Sequence, residues 1–137
     1  MSRSISLDDY MVKRPVRVNA NASILEAVEL ILEHRVSGVC VVDDDENLVG
    51  VLSELDCLRA IVERIYDNKE KDAGFVFEVM TKEVETNKPG DDIVSVAASM
   101  LDHKHRRRPV VANDQLVGQV TCRQILGAIR DFSLPTN

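Results

Sequence analysis

The 137-residue chain has no tryptophan, only two tyrosines and three phenylalanines. So few aromatic rings exclude the stacking platforms on which single-stranded nucleic acids are held. A formal net charge of −6 speaks in the same direction, because nucleic-acid-binding domains are usually basic. The three cysteines, Cys40, Cys57 and Cys122, lie far apart and form no CxxC pair. That spacing gives no disulfide framework, and free thiols in a reducing compartment are the simplest reading. No apolar run approaches the roughly 18 residues a membrane span needs. Met1–Asp9 is short and polar, without the apolar stretch of a signal peptide, so the expectation is a soluble, cytoplasmic protein without a membrane segment.

What the chain does have is a pattern that occurs twice, the second copy 68 or 69 positions after the first. Val16-Arg17-Val18-Asn19 answers to Val84-Glu85-Thr86-Asn87, and Ser23-Ile24 to Asp92-Ile93. Val41-Val42 matches Val110-Val111, Leu48-Val49-Gly50 matches Leu116-Val117-Gly118, and Ser53 matches Thr121. A tandem of this length implies two similar supersecondary units that bury apolar faces against each other.

Each unit reads as strand, helix, strand, strand, helix, an α+β plan. In the first, Val16–Val18 is a strand, and Ser23 and Glu26 form a capping box before Ile24, Ala27, Val28, Ile31 and Leu32 at helical spacing. Gly38–Val42 and Leu48–Leu52 make a hairpin around the acidic turn Asp43–Asn47. Ser53 then caps a helix with apolar positions at Leu55, Leu58, Ile61, Val62 and Ile65. Leu7–Met11 is expected as a helical turn closing over the first unit, and Phe75–Met80 as its counterpart over the second. The expected boundaries are 1–66 for the first unit, 67–74 for a charged linker, 75–132 for the second unit and 133–137 for a frayed tail.

Two stretches could carry chemistry. In Gly50-Val51-Leu52-Ser53-Glu54-Leu55-Asp56 a strand ends and a helix begins, with a hydroxyl at the cap and a carboxylate three residues on. Such a helix start favours an anion, and an adjacent carboxylate can accept two hydrogen bonds from a ribose diol. The same spacing is also that of a plain N-cap. The matching Thr121 and Gln124 form a capping box without the anionic acceptor. The second stretch is His103-Lys104-His105-Arg106-Arg107-Arg108-Pro109, a basic knot in an acidic chain. His103 and Lys104 suit a helix C-terminus. Arg106 to Arg108 replace the neutral Ser37-Gly38-Val39 and serve either as a phosphate-gripping face or as partners for nearby acids. His103 and His105 have no cysteine or acid at zinc-ligand spacing, and Asp43-Asp44-Asp45-Glu46 lacks the pattern of a calcium loop. At its helix start, Cys122 reads as a small buried residue. No nucleophile is accompanied by a base and an acid, so no metal and no enzymatic activity are expected.

The duplicated plan resembles a tandem pair of cystathionine-β-synthase-type (CBS) domains. The residues that carry the resemblance are Val79-Met80-Thr81, Arg107-Arg108-Pro109-Val110-Val111 and Val49 to Asp56, in that architecture's order and duplication. The resemblance covers about Leu7 to Phe132. It implies a pseudo-two-fold module with two clefts, often paired with a second module as a homodimer, and a regulatory role without catalysis. It further implies a ligand such as AMP, ADP, ATP or S-adenosylmethionine in the cleft between the units. Ser53 and Asp56 would hold ribose, His105, Arg106 and Arg107 would meet phosphate, and Glu85 and Thr86 would border the base. The cleft with Thr121 and Gln124 departs from this pattern and is expected to bind weakly or not at all. A ligand-independent dimerisation and docking module is the alternative, and a protein target is expected in either case.

Overall fold

The computed structural model describes residues 5–67 and 74–133. The expected linker lies almost wholly outside the described residues, and so does the tail beyond Ser133. The chain divides into two compact units, one of residues 16–84 and one combining residues up to 15 with residues from 85 onward. We call them the contiguous and the composite unit.

The contiguous unit contains strand β2 (Arg17–Asn19), helix α1 (Ile24–His34), strands β3 (Gly38–Val42) and β4 (Leu48–Ser53), helix α2 (Glu54–Asp67) and the short helix α3 (Val76–Val79). Its sheet has the order β2-β3-β4, with β2 parallel to β3 and β3 antiparallel to β4. All five β3 residues are buried, which explains the unbroken apolar run Val39-Cys40-Val41-Val42 in place of alternation. Ser23 caps α1 by accepting from the Glu26 amide at 3.1 Å, and the helix ends in a left-handed Arg35. Asp43 organises the hairpin turn, its carboxylate accepting from the amides of Asp45 and Asn47. These bonds hold its pKa below the usual carboxylate range.

The composite unit contains a 3₁₀ turn (Leu7–Asp9), strand β1 (Val12–Lys13), helix α4 (Ile93–His103), strands β5 (Arg107–Ala112) and β6 (Gln115–Thr121), and helix α5 (Cys122–Ser133). Its sheet is antiparallel, in the order β1-β6-β5. Asn113 and Asp114, both at positive φ, form the two-residue turn joining β5 to β6. The hairpins of both units shift register at the same place, between Val41 and Val42 and between Val110 and Val111. The strand expected around Val84–Asn87 shrinks to one parallel bridge between Asn87 and Val110. Just after it, Asn87 donates a side-chain bond to Asp91, and the chain turns through Pro89-Gly90 into α4.

The expected placement of the two leading turns is corrected by the packing. Leu7, fully buried, belongs to the core of Ile93, Val96, Met100, Val110 and Val120 in the composite unit. Val76, also fully buried, belongs to the core of Val18, Ile24, Val41 and Leu52 in the contiguous unit. Each leading turn therefore closes the core formed by the other copy of the repeat. Backbone bonds fix the arrangement: the Leu7 amide donates to the Asp91 carbonyl and the Ile93 amide to the Ile5 carbonyl. In the other unit, Ile24 donates to Gly74 and Val76 to Ala22. The glycines shared by the repeats make room for this. A Cβ on Gly118 would lie 2.5 Å from the Met11 sulfur, and one on Gly50 2.8 Å from both the Met80 sulfur and the Thr81 carbonyl oxygen.

The outer helices also differ from their sequence reading. The buried residues of α2 are Cys57 and Ala60, with Ile61 partly buried against the same core, while Leu55, Leu58 and Val62 are exposed. On α1, Leu32 is 70% exposed. Small residues let α2 approach its sheet closely, which turns the larger side chains outward.

Two sets of measurements test this packing. Leu7→Ala should cost roughly 2–5 kcal/mol in urea unfolding. Its double-mutant cycle with Ile93→Ala should show coupling of about 0.5 kcal/mol or more, and its cycle with Ile24→Ala almost none; the reverse result would restore the unexchanged arrangement. Gly50→Ala and Gly118→Ala should each destabilise by about 1–3 kcal/mol through overpacking under the leading turns.

Candidate functional site

At the junction of β4 and α2, Ser53 and Asp56 bind one another reciprocally. The Ser53 amide donates to Asp56 Oδ2 at 3.0 Å, and the Asp56 amide donates to Ser53 Oγ at 3.1 Å. The Glu54 amide donates to the carbonyl of Ser37, on the loop entering β3. The cap function considered from the sequence is thus present. It does not exhaust the carboxylate, which offers about four acceptor positions. The second oxygen, Oδ1, faces the exposed Arg59 guanidinium at 3.6 Å, and the side chain is 18% exposed.

The composite unit repeats this junction atom for atom in plan. The Thr121 amide donates to Gln124 Oε1 at 2.9 Å, and the Gln124 amide to Thr121 Oγ1 at 3.3 Å. The Cys122 amide donates to the carbonyl of Arg106, the counterpart of the Glu54–Ser37 bond. The difference between the two boxes is chemical: a carboxylate in one, a neutral amide in the other.

The basic knot lies where α4 gives way to β5. Lys104 is the left-handed cap of α4, and His103 shares a hydrogen bond with the Ser99 carbonyl at 2.8 Å through Nδ1. A carbonyl oxygen can only accept, so His103 carries its proton on Nδ1. Its Nε2 lies 3.7 Å from Glu85 Oε1, and its ring is 5.3 Å from that of His105. Arg106 is exposed ahead of the strand, and Arg107 is half-buried opposite Thr121.

Arg108 was not among the expected site residues. It is 1% exposed, and among the described residues it is the sole buried charged side chain. Its Nη1 donates to Asn87 Oδ1 at 3.0 Å and to Ser99 Oγ at 3.1 Å, and its Nη2 lies 3.1 Å from His105 Nδ1. Its Nε is buried without a hydrogen-bond partner. Burial pulls the guanidinium below its ordinary pKa, against the opposing charge of Glu85. The signal for it was in the repeat, since Arg108 stands where the first copy has the core residue Val39. Burial also holds the His105 ring below its ordinary value, helped by the charges of Arg108 and His103 and opposed by Glu85.

The seven expected residues thus fall into two groups. Ser53 and Asp56 are joined in one box of the contiguous unit. Glu85, Thr86, His105, Arg106 and Arg107 belong to the composite unit, where Glu85 and His105 act on each other electrostatically. Cys122, read as buried, is exposed instead and directs its thiol to the His105 carbonyl at 3.6 Å. Cys40 and Cys57 are buried free thiols. Burial pushes the Cys57 thiol up, and the neighbouring Asp56 adds to the shift. Among the described residues no helix is long and apolar enough to cross a membrane. On the contiguous unit, an apolar groove of about 370 Å³ opens between α1 and α2, lined by Val28, Ile31, Leu32, Leu55, Leu58 and Ile61 among others.

Comparison with known proteins agrees with this fold. The family model of the CBS domain matches residues 7–63 and again residues 76–131. Protein MJ1225 of Methanocaldococcus jannaschii is 32% identical over 113 residues, 82% of this chain and 39% of that protein. The chain therefore spans about two fifths of that relative's length. Among solved structures, CBSX2 in complex with AMP superposes with a TM-score of 0.82 at 27% identity, covering 96% of this chain and 100% of that one. The CBS domain pair of protein MJ0100, in complex with 5′-methylthioadenosine and S-adenosyl-L-methionine, superposes with a TM-score of 0.75 at 26% identity, covering 89% and 93%. The two matched segments leave little of the described chain unassigned, and the chain belongs to the CBS domain family as a tandem pair.

Proposed function

We propose that the protein is a non-catalytic regulatory module that binds an adenosine-containing ligand and acts as its sensor. Asp56 and Ser53 hold the ribose, His105, Arg106 and Arg107 meet the phosphate, and Glu85 and Thr86 border the base. The observation that carries this reading is the Asp56 carboxylate, fixed at the start of α2 with acceptor capacity left over for a diol. Gln124, at the matching place, offers a neutral amide, so one ligand per chain is the expected number. The adenosine ligands of CBSX2 and of the MJ0100 pair support the class of molecule. The ligand shifts a conformational equilibrium by its differential affinity for the two states. A protein target in the cytoplasm reads the shift.

A second reading concerns assembly. Leu32, Leu55 and Leu58 line an exposed groove on α1 and α2, and Leu101 and Leu126 are exposed on the corresponding helices of the composite unit. Exposed leucines concentrated on the outer helices favour pairing with a second copy of the chain. A docking module of this kind works with or without a nucleotide.

Thermal unfolding against AMP, ADP, ATP and S-adenosylmethionine tests the first reading. A ligand at about 100 times its Kd adds roughly 2.7 kcal/mol, a rise of several degrees for a chain of this size. Asp56→Asn keeps an oxygen for the Ser53 amide and removes the charge; it should fold normally and lose at least about tenfold in affinity. An unchanged affinity would remove Asp56 from the site. For assembly, Leu55→Asp combined with Leu58→Asp should halve the mass found by sedimentation, and an unaltered mass would end the homodimer reading.

A further inference from the structure

Arg108 poses a physical problem that the fold alone does not answer. Its place on β5 points into the core, and the first copy of the repeat fills that place with Val39, 3% exposed. A valine there is sufficient for a folded unit. A guanidinium at 1% exposure is costly, because burying a charge removes its hydration. No carboxylate within hydrogen-bonding distance offsets it among the described residues. Its partners are the neutral oxygens of Asn87 and Ser99 and the neutral nitrogen of His105.

The contact with His105 has a consequence for proton position. A guanidinium can only donate, so His105 Nδ1 must accept. The ring is then neutral, with its proton on Nε2. On His103 the Nδ1 is a donor instead, directed to the Ser99 carbonyl. The Nδ1 atoms of two adjacent histidines are thus set in opposite hydrogen-bonding roles by the groups they meet. We propose that Arg108 is a positioning residue that presents His105 as a neutral Nε2–H donor beside Arg106 and Arg107, and that this buried charge restricts the ligand to adenosine nucleotides bearing phosphate. The proposal rests on the ligand-binding reading above and narrows it. A buried cation with no carboxylate in hydrogen-bonding distance, opposed only by the charge of Glu85, raises the local potential, which favours a phosphate and opposes a sulfonium.

The titration of His105 is governed first by burial, then by the charges of Arg108 on β5 and His103 on α4, with Glu85 ahead of α4 opposing them; the Cys122 thiol on α5 meets the His105 backbone carbonyl and not the ring. Protonation would remove the acceptor and set two cations against each other. The ring's folded pKa is depressed below its ordinary value of roughly 6.5. The stability it contributes is therefore complete above that value and is lost as pH falls through the lower folded value.

The test combines ¹⁵N-histidine spectroscopy of the full, ligand-free chain with calorimetric titration by AMP and by S-adenosylmethionine. At neutral pH, His105 Nδ1 should give the resonance of an unprotonated nitrogen and Nε2 that of a protonated one. Arg108→Val copies the residue of the first repeat; it should remain folded, let the His105 titration midpoint rise, and weaken AMP binding at least tenfold. A protonated Nδ1 in the wild-type chain overturns the positioning role, and this arm needs neither a ligand nor a folded variant. Equal AMP affinity in Arg108→Val also overturns it. Tighter binding of S-adenosylmethionine than of AMP overturns the phosphate class. A wild-type chain that binds neither defeats the ligand reading itself, and the spectrum then decides the tautomer alone.

Discussion

The close approach of a leading turn to a glycine on a hairpin strand is the constraint on which both units depend. Met11 lies over Gly118 and Met80 over Gly50, and a Cβ at either position would collide with the turn that covers it. Once there, Leu7 and Val76 complete two cores that the strands and helices leave open. Sealing the two cores in this way sets the ends of β4 and β6, where the strand-to-helix boxes begin. Each capping box thus begins shortly after the glycine that a leading turn covers.

On this shared skeleton the two copies differ at most positions, and two of these differences are chemical ones at matching places. The capping boxes keep the same bonds, with Asp56 in one and Gln124 in the other. The strands after α1 and α4 keep the same register shift, yet Val39 in one corresponds to Arg108 in the other. Acceptor and cation have been assigned to opposite copies of the repeat.

Much of this was legible in the residues. The hairpins, the caps at Ser23, Ser53 and Thr121 and the order of elements follow from apolar periodicity and hydroxyl placement, which are local signals. The exchange of leading turns was not, because both turns carry similar apolar residues and fit either core by composition alone. The outward leucines of α2 escaped for a related reason. Periodicity identifies an apolar face, but the small Cys57 and Ala60 that actually approach the sheet do not stand out in it. Alternation along β5 sets Arg108 on the side opposite Arg107, but alternation does not tell which side meets the core.

The exchanged turns also impose an order of events during synthesis. The contiguous unit has all its parts once residue 84 has left the ribosome. Leu7 is translated before the contiguous unit, yet its core is made by Ile93, Val96, Val110 and Val120, which follow that unit. Until then the amino-terminal segment has no native partner. The contiguous unit can therefore close before the segment that precedes it joins its own core.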